Sequence, residues 1–246
     1  MIEQFTPLRL AGHRALIPGG TGAVGEGVVR AYLAEGADVV VPTRSVERAD
    51  EFRAVLGDAA SDKLHLVVHD YTSFAGAADL AAQMVANLGG VDDVVAPIGG
   101  WWAGKRLWEI DEADWQSAFV GLATAHMAVA RAVVPVLTAG GTYTVVVGAS
   151  AQWPVPGSGL VSMEQAAVLM MQQVLAAELD ARQRTFSLVL GPVSTRDVAG
   201  GSDWITSAQV GAIAAGLAAD DTQPSRVVLA TTHDQIAEAL AASTPA

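Results

Sequence analysis

The stretch Pro18-Gly19-Gly20-Thr21-Gly22-Ala23-Val24-Gly25-Glu26-Gly27 decides how this chain is read. It follows an apolar run, Ala15-Leu16-Ile17, and opens a segment, Val28 to Glu35, with helical periodicity. Strand, glycine loop and helix in that order make a dinucleotide-binding turn. A pyrophosphate must come against unpaired N–H groups at the positive end of a helix, and a Cβ in the turn would hold it off. Outward from the loop, β-rich runs alternate with helical periods. The predicted strands are Arg14–Ile17, Asp38–Val41, Leu64–Val68, Asp93–Ala96, Thr142–Val147, Phe186–Leu190 and Arg226–Ala230. Ser45 caps a predicted helix to Leu56, Ser73 another to Leu88, and Thr206-x-x-Gln209 is a capping box before Val210–Ala219. Asp111 opens a long helix through Trp115, Phe119, Leu122 and Val129, with a break expected near Pro135, and Gly159 to Arg182 holds the other long helix. This alternation predicts an α/β fold, a single domain over residues 1–246 with a doubly wound, mainly parallel seven-stranded sheet and helices on both faces.

Composition bounds the partners. At 51% hydrophobic residues over 246 positions the chain can bury a large core. A formal charge of −12 repels phosphate backbones, so nucleic acid is not an expected partner. There is no cysteine, which excludes disulfides and thiolate chemistry, and no metal site is expected. Met1 to Gly12 lacks a basic start and a long apolar run, and the longer apolar stretches are broken by charge, Gly or Pro. Neither a secretory leader nor a membrane span is therefore expected, and the cytoplasm is the default location.

In order and spacing these motifs resemble the classical short-chain dehydrogenase/reductase family over nearly the whole chain. The resemblance implies a Rossmann fold and descent from NAD(P)-dependent oxidoreductases. Gly19, Gly22 and Gly25 stand at the family's glycine-rich turn, with Thr21 and Val24 between them. Ala23 replaces a glycine of classical members and Pro18 their threonine, so the spacing is nearer the family's extended branch. Asp70, in His69-Asp70-Tyr71-Thr72, resembles the aspartate that holds adenine, with Tyr71 beside it. Gly191-Pro192-Val193-Ser194-Thr195 resembles the turn that holds the nicotinamide amide, and Gly99 closes Ala96-Pro97-Ile98-Gly99 where the family has Asn-Asn-Ala-Gly. After the second strand, Thr43 takes the usual acidic position and Arg44 the usual basic one. A carboxylate there binds the ribose 2′-hydroxyl and repels a 2′-phosphate, which prefers a guanidinium, so NADP(H) is expected over NAD(H).

The same alignment removes the customary chemistry. The family protonates its substrate from a tyrosine whose pKa is lowered by a lysine four residues later. Here Val161 stands at the tyrosine, Gln165 at the lysine, Gly148 at the serine and Leu122 or Gly121 at the asparagine. Valine has no proton to give, and glutamine can bond a nicotinamide ribose but carries no charge. Ser150, if the loop is shifted, and Lys105, in the loop Gly99 to Ile110, are the replacement candidates, while His126 faces either the pocket or the helix interface, a lone His on an apolar helix being more often structural. Trp101, Trp102, Trp108, Trp153 and Trp204 fall in the pocket-side connections, with Lys105 and Arg106 able to attract an anion and Gln152, Ser158 and Ser162 as polar neighbours. They read either as walls for a flat or bulky ligand or as packing at a subunit interface.

Three functions fit: an NADP(H)-binding sensor or ligand-binding protein, favoured; an oxidoreductase with a non-standard proton donor acting on a bulky or aromatic carbonyl; or a structural subunit beside an active paralogue. The two long helices resemble those that pair subunits in the family, which implies a homo-oligomer, dimer or tetramer, with Met170-Met171-Gln172-Gln173 on that interface. Replacing Arg44 by Asp is expected to weaken NADPH binding far more than NADH binding in parallel titrations; equal losses would remove Arg44 from the 2′-phosphate site.

Overall fold

The computed structural model describes residues 8–179 and 182–243. In chain order it runs β1 (Arg14–Leu16), α1 (Ala23–Ala34), β2 (Asp38–Thr43), α2 (Val46–Leu56), β3 (Leu64–Val68), α3 (Phe74–Leu88) and β4 (Val91–Ala96). There follow α4 (Glu112–Trp115), α5 (Gly121–Val133), β5 (Leu137–Gly148), α6 (Gly159–Glu178) and β6 (Arg184–Leu190). The short β7 (Val193–Ser194) and β8 (Ile205–Thr206), then α7 (Ser207–Ala219), β9 (Arg226–Ala230) and α8 (His233–Ala242), complete it.

Seven strands form one sheet in the order β3-β2-β1-β4-β5-β6-β9, and every neighbouring pair is parallel. Both faces are covered, which is why the strands read as nearly continuous Val, Ile and Leu. Successive side chains enter opposite layers: Ile17, Val39 and Val41 join α1 and α7 on one face, while Leu16 and Val40 join α3, α5 and α6 on the other. The strand order reverses between β1 and β4, and the carboxyl ends of strands at such a reversal are where this architecture binds ligands.

Several boundaries differ from the sequence reading, each for a local reason. Helix α1 starts at Ala23, inside the glycine motif, because Gly25 and Gly27 are helical residues selected for contact; the apolar period that betrays the helix begins only at Val28. Strand β5 starts at Leu137, ahead of a register shift between Val91 and Asp93 that hides the extension from a pattern reading. The Asp111 helix is capped as expected, Asp111 accepting from the Asp114 N–H, but its winding loosens to a π turn over Gln116–Val120. It ends at Val133, where Pro135 sits in a 3-10 turn. Strands β7 and β8 and helix α8, capped by Thr232, were not predicted. The reading of α6 to Arg182 runs past Glu178, and residues 180–181 lie outside the described residues.

Two expectations are corrected. Gln172 is not on an interface: it is buried under the sheet, donating from Nε2 to the Thr185 carbonyl and accepting from Ser187 Oγ at 2.8 Å, while Met170 remains exposed. The helical stretches Glu112–Val136 and Gly159–Glu178 are long and apolar enough to cross a bilayer by length and composition, contrary to the reading that every apolar run is broken. Both pack on the sheet, through Ala125 and Val129 and through Val168 and Leu169.

Helix α1 meets α7 with almost no side chain between them. A Cβ on Gly27 would overlap the Ser207 carbonyl, and one on Gly211 would overlap the Gly27 carbonyl. Replacing Gly27 by Ala is therefore expected to destabilise the protein by about 1–3 kcal/mol through overpacking, read as a lower urea midpoint at unchanged slope. An unchanged midpoint would show that α7 can shift freely.

Candidate cofactor and ligand site

The glycine loop leaves β1 and turns beneath the exit of β4. Gly19 adopts φ 85°, a left-handed value that favours glycine, and its missing Cβ would stand 2.5 Å from the Pro97 carbonyl. Gly25 is packed against Gly19 and Gly20 in the same way. The turn is held by Gly20 N–H to Ile17 O at 3.0 Å and Gly22 N–H to Gly19 O at 2.9 Å. Gly22 is the N-cap of α1 and offers no side-chain cap, so the positive helix end faces the switch point uncapped.

Two arginines grip this loop from opposite sides. Arg48 of α2 donates to the Thr21 carbonyl at 3.2 Å, and Arg196, beyond β7, donates to the same oxygen at 3.5 Å. Arg196 also binds Glu26 of α1 at 2.6 Å, and Arg30 binds the other oxygen of that carboxylate. Burial works against ionisation of Glu26, but the hydrogen bonds from Arg196 and Arg30 outweigh it and hold the carboxyl below its ordinary pKa. Neither Arg48 nor Arg196 was singled out in the sequence. The available signal was spacing, since Arg48 lies one helical turn beyond Arg44 and Arg196 directly follows Thr195.

The other expected cofactor residues assemble around the carboxyl ends of the strands. Thr43 is buried at the end of β2, and Arg44 is exposed beside Asp70 and Tyr71, on both of which its charge acts. Asp70 accepts from the Thr72 hydroxyl at 2.6 Å and the Thr72 N–H at 2.9 Å, which keeps its carboxyl below the ordinary value. At the β6 exit, Gly191 donates to the Ala230 carbonyl and backs onto Thr231, leading through Pro192 into Val193 of β7. Thr195 Oγ1 accepts from the N–H groups of Asp197 and Val198, so its own hydrogen remains available to a ligand.

The catalytic positions form a closed set. The side-chain oxygen of Gln165 accepts from Gly148 N–H at 3.0 Å and from Ser150 Oγ at 2.6 Å. The amide nitrogen of Gln165 is thereby the group left to donate. A Cβ on Gly148 would stand 2.9 Å from that oxygen, so glycine at 148 and glutamine at 165 accommodate one another. Val161 is buried one turn earlier, and Leu122 packs against the core. Lys105 is bound by Asp114 and Asp111, whose hydrogen bonds raise its pKa and make it a poorer acid. Its loop is tied to the loop after β5 through Gly104 N–H to Gly157 O and a bridge from Lys105 to Ser158. Of the tryptophans, Trp102 and Trp204 are half-buried, Trp204 lying on Gly200. Trp101, Trp108 and Trp153 are 71%, 78% and 52% exposed, so they are not enclosed walls, although the Arg106 guanidinium lies over the Trp108 ring at 5.4 Å.

One polar group in this region went unread. Glu164, next to Gln165, is 2% exposed in a stripe otherwise made of Leu160, Val161 and Val168, and it faces His126 of α5, 1% exposed. His126 Nε2 donates to the Ile98 carbonyl at 2.9 Å, as an interface residue should, and lies 3.8 Å from Glu164 Oε1. Burial pulls the imidazole down to about 4 and pushes the carboxyl up to about 7, so at neutral pH the contact is not an ion pair.

A family model described as enoyl-(acyl carrier protein) reductase matches residues 20–235. The hydroxysteroid 11-beta-dehydrogenase 1-like protein of Xenopus tropicalis is 27% identical over 157 residues, 63% of this chain and 54% of that protein. A cis-2,3-dihydrobiphenyl-2,3-diol dehydrogenase of Paraburkholderia xenovorans is 30% identical over 112 residues, 46% of this chain and 39% of that enzyme. The chain thus spans about half the length, or less, of these curated relatives. A short chain dehydrogenase from Burkholderia cenocepacia J2315, solved in complex with NADP, superposes with a TM-score of 0.79 at 22% identity, covering 90% of this chain and 97% of that one.

The raised Glu164 pKa has a fixed sign in stability. The folded state keeps a proton that the unfolded chain releases above its ordinary value of 4.5, so the carboxyl destabilises the fold increasingly as pH rises towards about 7. Glu164→Gln is expected to gain on the parent protein between pH 5 and 8, by up to about 3 kcal/mol. Urea titrations across that range check this, and a pH-independent difference would contradict it.

Proposed function

The chain belongs to the short-chain dehydrogenase/reductase family, and on that premise we propose that it binds NADP(H) and acts as a sensor or ligand-binding protein without the family's standard carbonyl reduction. The observation that carries this reading is the pairing of an intact glycine cradle with Gln165 bonded to Gly148 and Ser150, where the family's lysine would serve a tyrosine. The turn suits a pyrophosphate, since Gly19 and Gly25 let it close tightly on Pro97 and on itself and the end of α1 carries no side-chain cap. Arg48 and Arg196 bring cationic groups to its rim, and the exposed Arg44, directly after β2, supplies a guanidinium for a 2′-phosphate. Asp70 faces the adenine side; Thr195 and the Gln165 amide nitrogen offer hydrogens on the nicotinamide side. The bound cofactor supplies a hydride. Val161 offers no proton, and the Ser150 hydroxyl already donates to Gln165.

A lost positioned acid lowers rates by about 10²- to 10⁴-fold, which leaves room for slow turnover rather than a standard reductase. A second reading, oxidoreductase chemistry on a bulky or aromatic carbonyl with a non-standard donor, is favoured by the half-buried Trp102 and Trp204 and by the aromatic dihydrodiol in the name of the Paraburkholderia relative. In either case the exposed Met127, Met163, Met170 and Val174 on α5 and α6 suit pairing of two copies.

Titration of NADPH fluorescence is expected to saturate, with NADH weaker and Arg44→Ala costing NADPH roughly tenfold more than NADH, whereas Arg48→Ala should weaken both alike. Aldehydes, ketones and quinones added to the same sample should leave NADPH unconsumed, and Val161→Tyr with Gln165→Lys should restore reduction. Failure of both dinucleotides to bind would remove the proposal; parent turnover at the usual enzymic rates of about 1–10³ s⁻¹ would replace it with the second reading.

A further inference from the structure

Glu164 and His126 have no part in the function proposed above, yet they sit behind its nicotinamide side. They lie where α6 meets α5, each almost wholly enclosed, and His126 Nδ1 and Glu164 Oε1 have no hydrogen-bond partner. Buried polar atoms of this kind are costly and are ordinarily paired, so an imidazole nitrogen and a carboxyl oxygen left without partners in one contact call for a reason. Their placement supplies one. Glu164 directly precedes Gln165, which is bonded to the β5 exit at Gly148 and Ser150, and His126 bonds the Ile98 carbonyl at the β4 exit. With the pyrophosphate on the β1 turn and the adenosine towards β2 and β3, the second nucleotide of a bound dinucleotide must lie across the switch point, over the ends of β4 and β5.

We propose that Glu164, backed by His126, is the group through which this protein distinguishes oxidised from reduced nicotinamide: as a carboxylate it favours the cationic oxidised ring, and as a neutral acid the uncharged reduced ring. The inference rests on the NADP(H) reading above. The physical basis is that a nicotinamide ring changes charge by one on oxidation while the rest of the cofactor does not. A charge held in a water-poor wall acts on that ring more strongly than any solvated group. Burial has already raised the carboxyl into the neutral range, where a small change in its surroundings shifts its protonation.

Among the described residues few ionisable groups face Glu164. Helix α5 contributes His126, which burial keeps neutral; the π turn Gln116–Val120 and the 3-10 turn Ala149–Ala151 carry none. Tyr143, in the middle of β5, shares the layer of α5 and α6, and burial raises its phenol well above the ordinary value so that it stays neutral; Arg184 starts β6, and Lys105 is held by Asp111 and Asp114 in the loop outside.

The test is a ratio. The affinities of NADP⁺, by competition, and NADPH, by its fluorescence, are measured at pH 6 and pH 8.5 on the parent protein and on Glu164→Gln. Groups at the adenosine end, including the 2′-phosphate and His69, act on both forms alike and cancel. In the parent protein the preference is expected to move towards NADP⁺ by about three- to tenfold over this range, bounded by tenfold per pH unit for one titrating group. In Glu164→Gln the ratio should stay flat, with NADP⁺ disfavoured at pH 8.5. Should that variant not fold, Glu164→Leu serves in its place, and the parent ratio alone still decides. Both cofactors binding with a pH-independent parent ratio, or a shift that survives in the variant, overturns this inference only. Failure of the parent to bind either cofactor overturns the reading beneath it as well.

Discussion

A chain of backbone-to-backbone contacts runs through the centre of this molecule, and everything near the ligand site is placed by it. Gly19 lies on the Pro97 carbonyl, Gly25 on Gly19 and Gly20, and Gly27 on Ser207, so the β1 turn, the β4 exit and α7 touch without intervening side chains. No side chain can enter such a series without moving two secondary elements at once. The glycine pattern is thus as much a packing requirement as a phosphate requirement, and the two reinforce each other. Helix α1 can present its end to an anion only because α7 lies close enough to hold it there.

From this follows why the fold was readable. Strands such as Val39-Val40-Val41 and Val145-Val146-Val147 are buried on both faces, and Ser45, Ser73, Asp111 and Thr206 each cap the helix expected of them. These are local signals, and local signals survive in a sequence. The unread parts are those fixed by distant partners. The early start of α1 depends on Ser207, the first residues of β5 depend on Val91, and the β7–β8 pair joins segments ten residues apart that have no strand pattern of their own. Helix α8 is the exception: it is amphipathic and carries a local Thr232 cap, so its signal lay in the sequence and went unread.

The site divides in the same way. Positions that act through the backbone or through one turn of chain, namely the glycines, Asp70 with Thr72, and Thr195 with Val198, could be placed from spacing alone. Positions that act through space could not. Arg48 and Arg196 meet at Thr21 from opposite directions, and Glu164 looks like one acidic residue in a long helix until His126 is seen against it. Gln165 shows both limits: its place in the helix marks it as a substitute for lysine, but only the structure shows its oxygen taken by Gly148 and Ser150. Gln165, Gly148 and Ser150 thus form one hydrogen-bonded unit around an uncharged amide, with a glycine opposite that leaves it room.

The ion pair between Arg196 and Glu26 carries a consequence for how the site moves. It fastens the segment after β7 to the first turn of α1 before any ligand has arrived, across the mouth of the glycine turn. The pair joins two segments that lie 170 residues apart in sequence into one mechanical unit. A displacement of the glycine turn therefore pulls on the chain that leaves β6, and the two can shift only together.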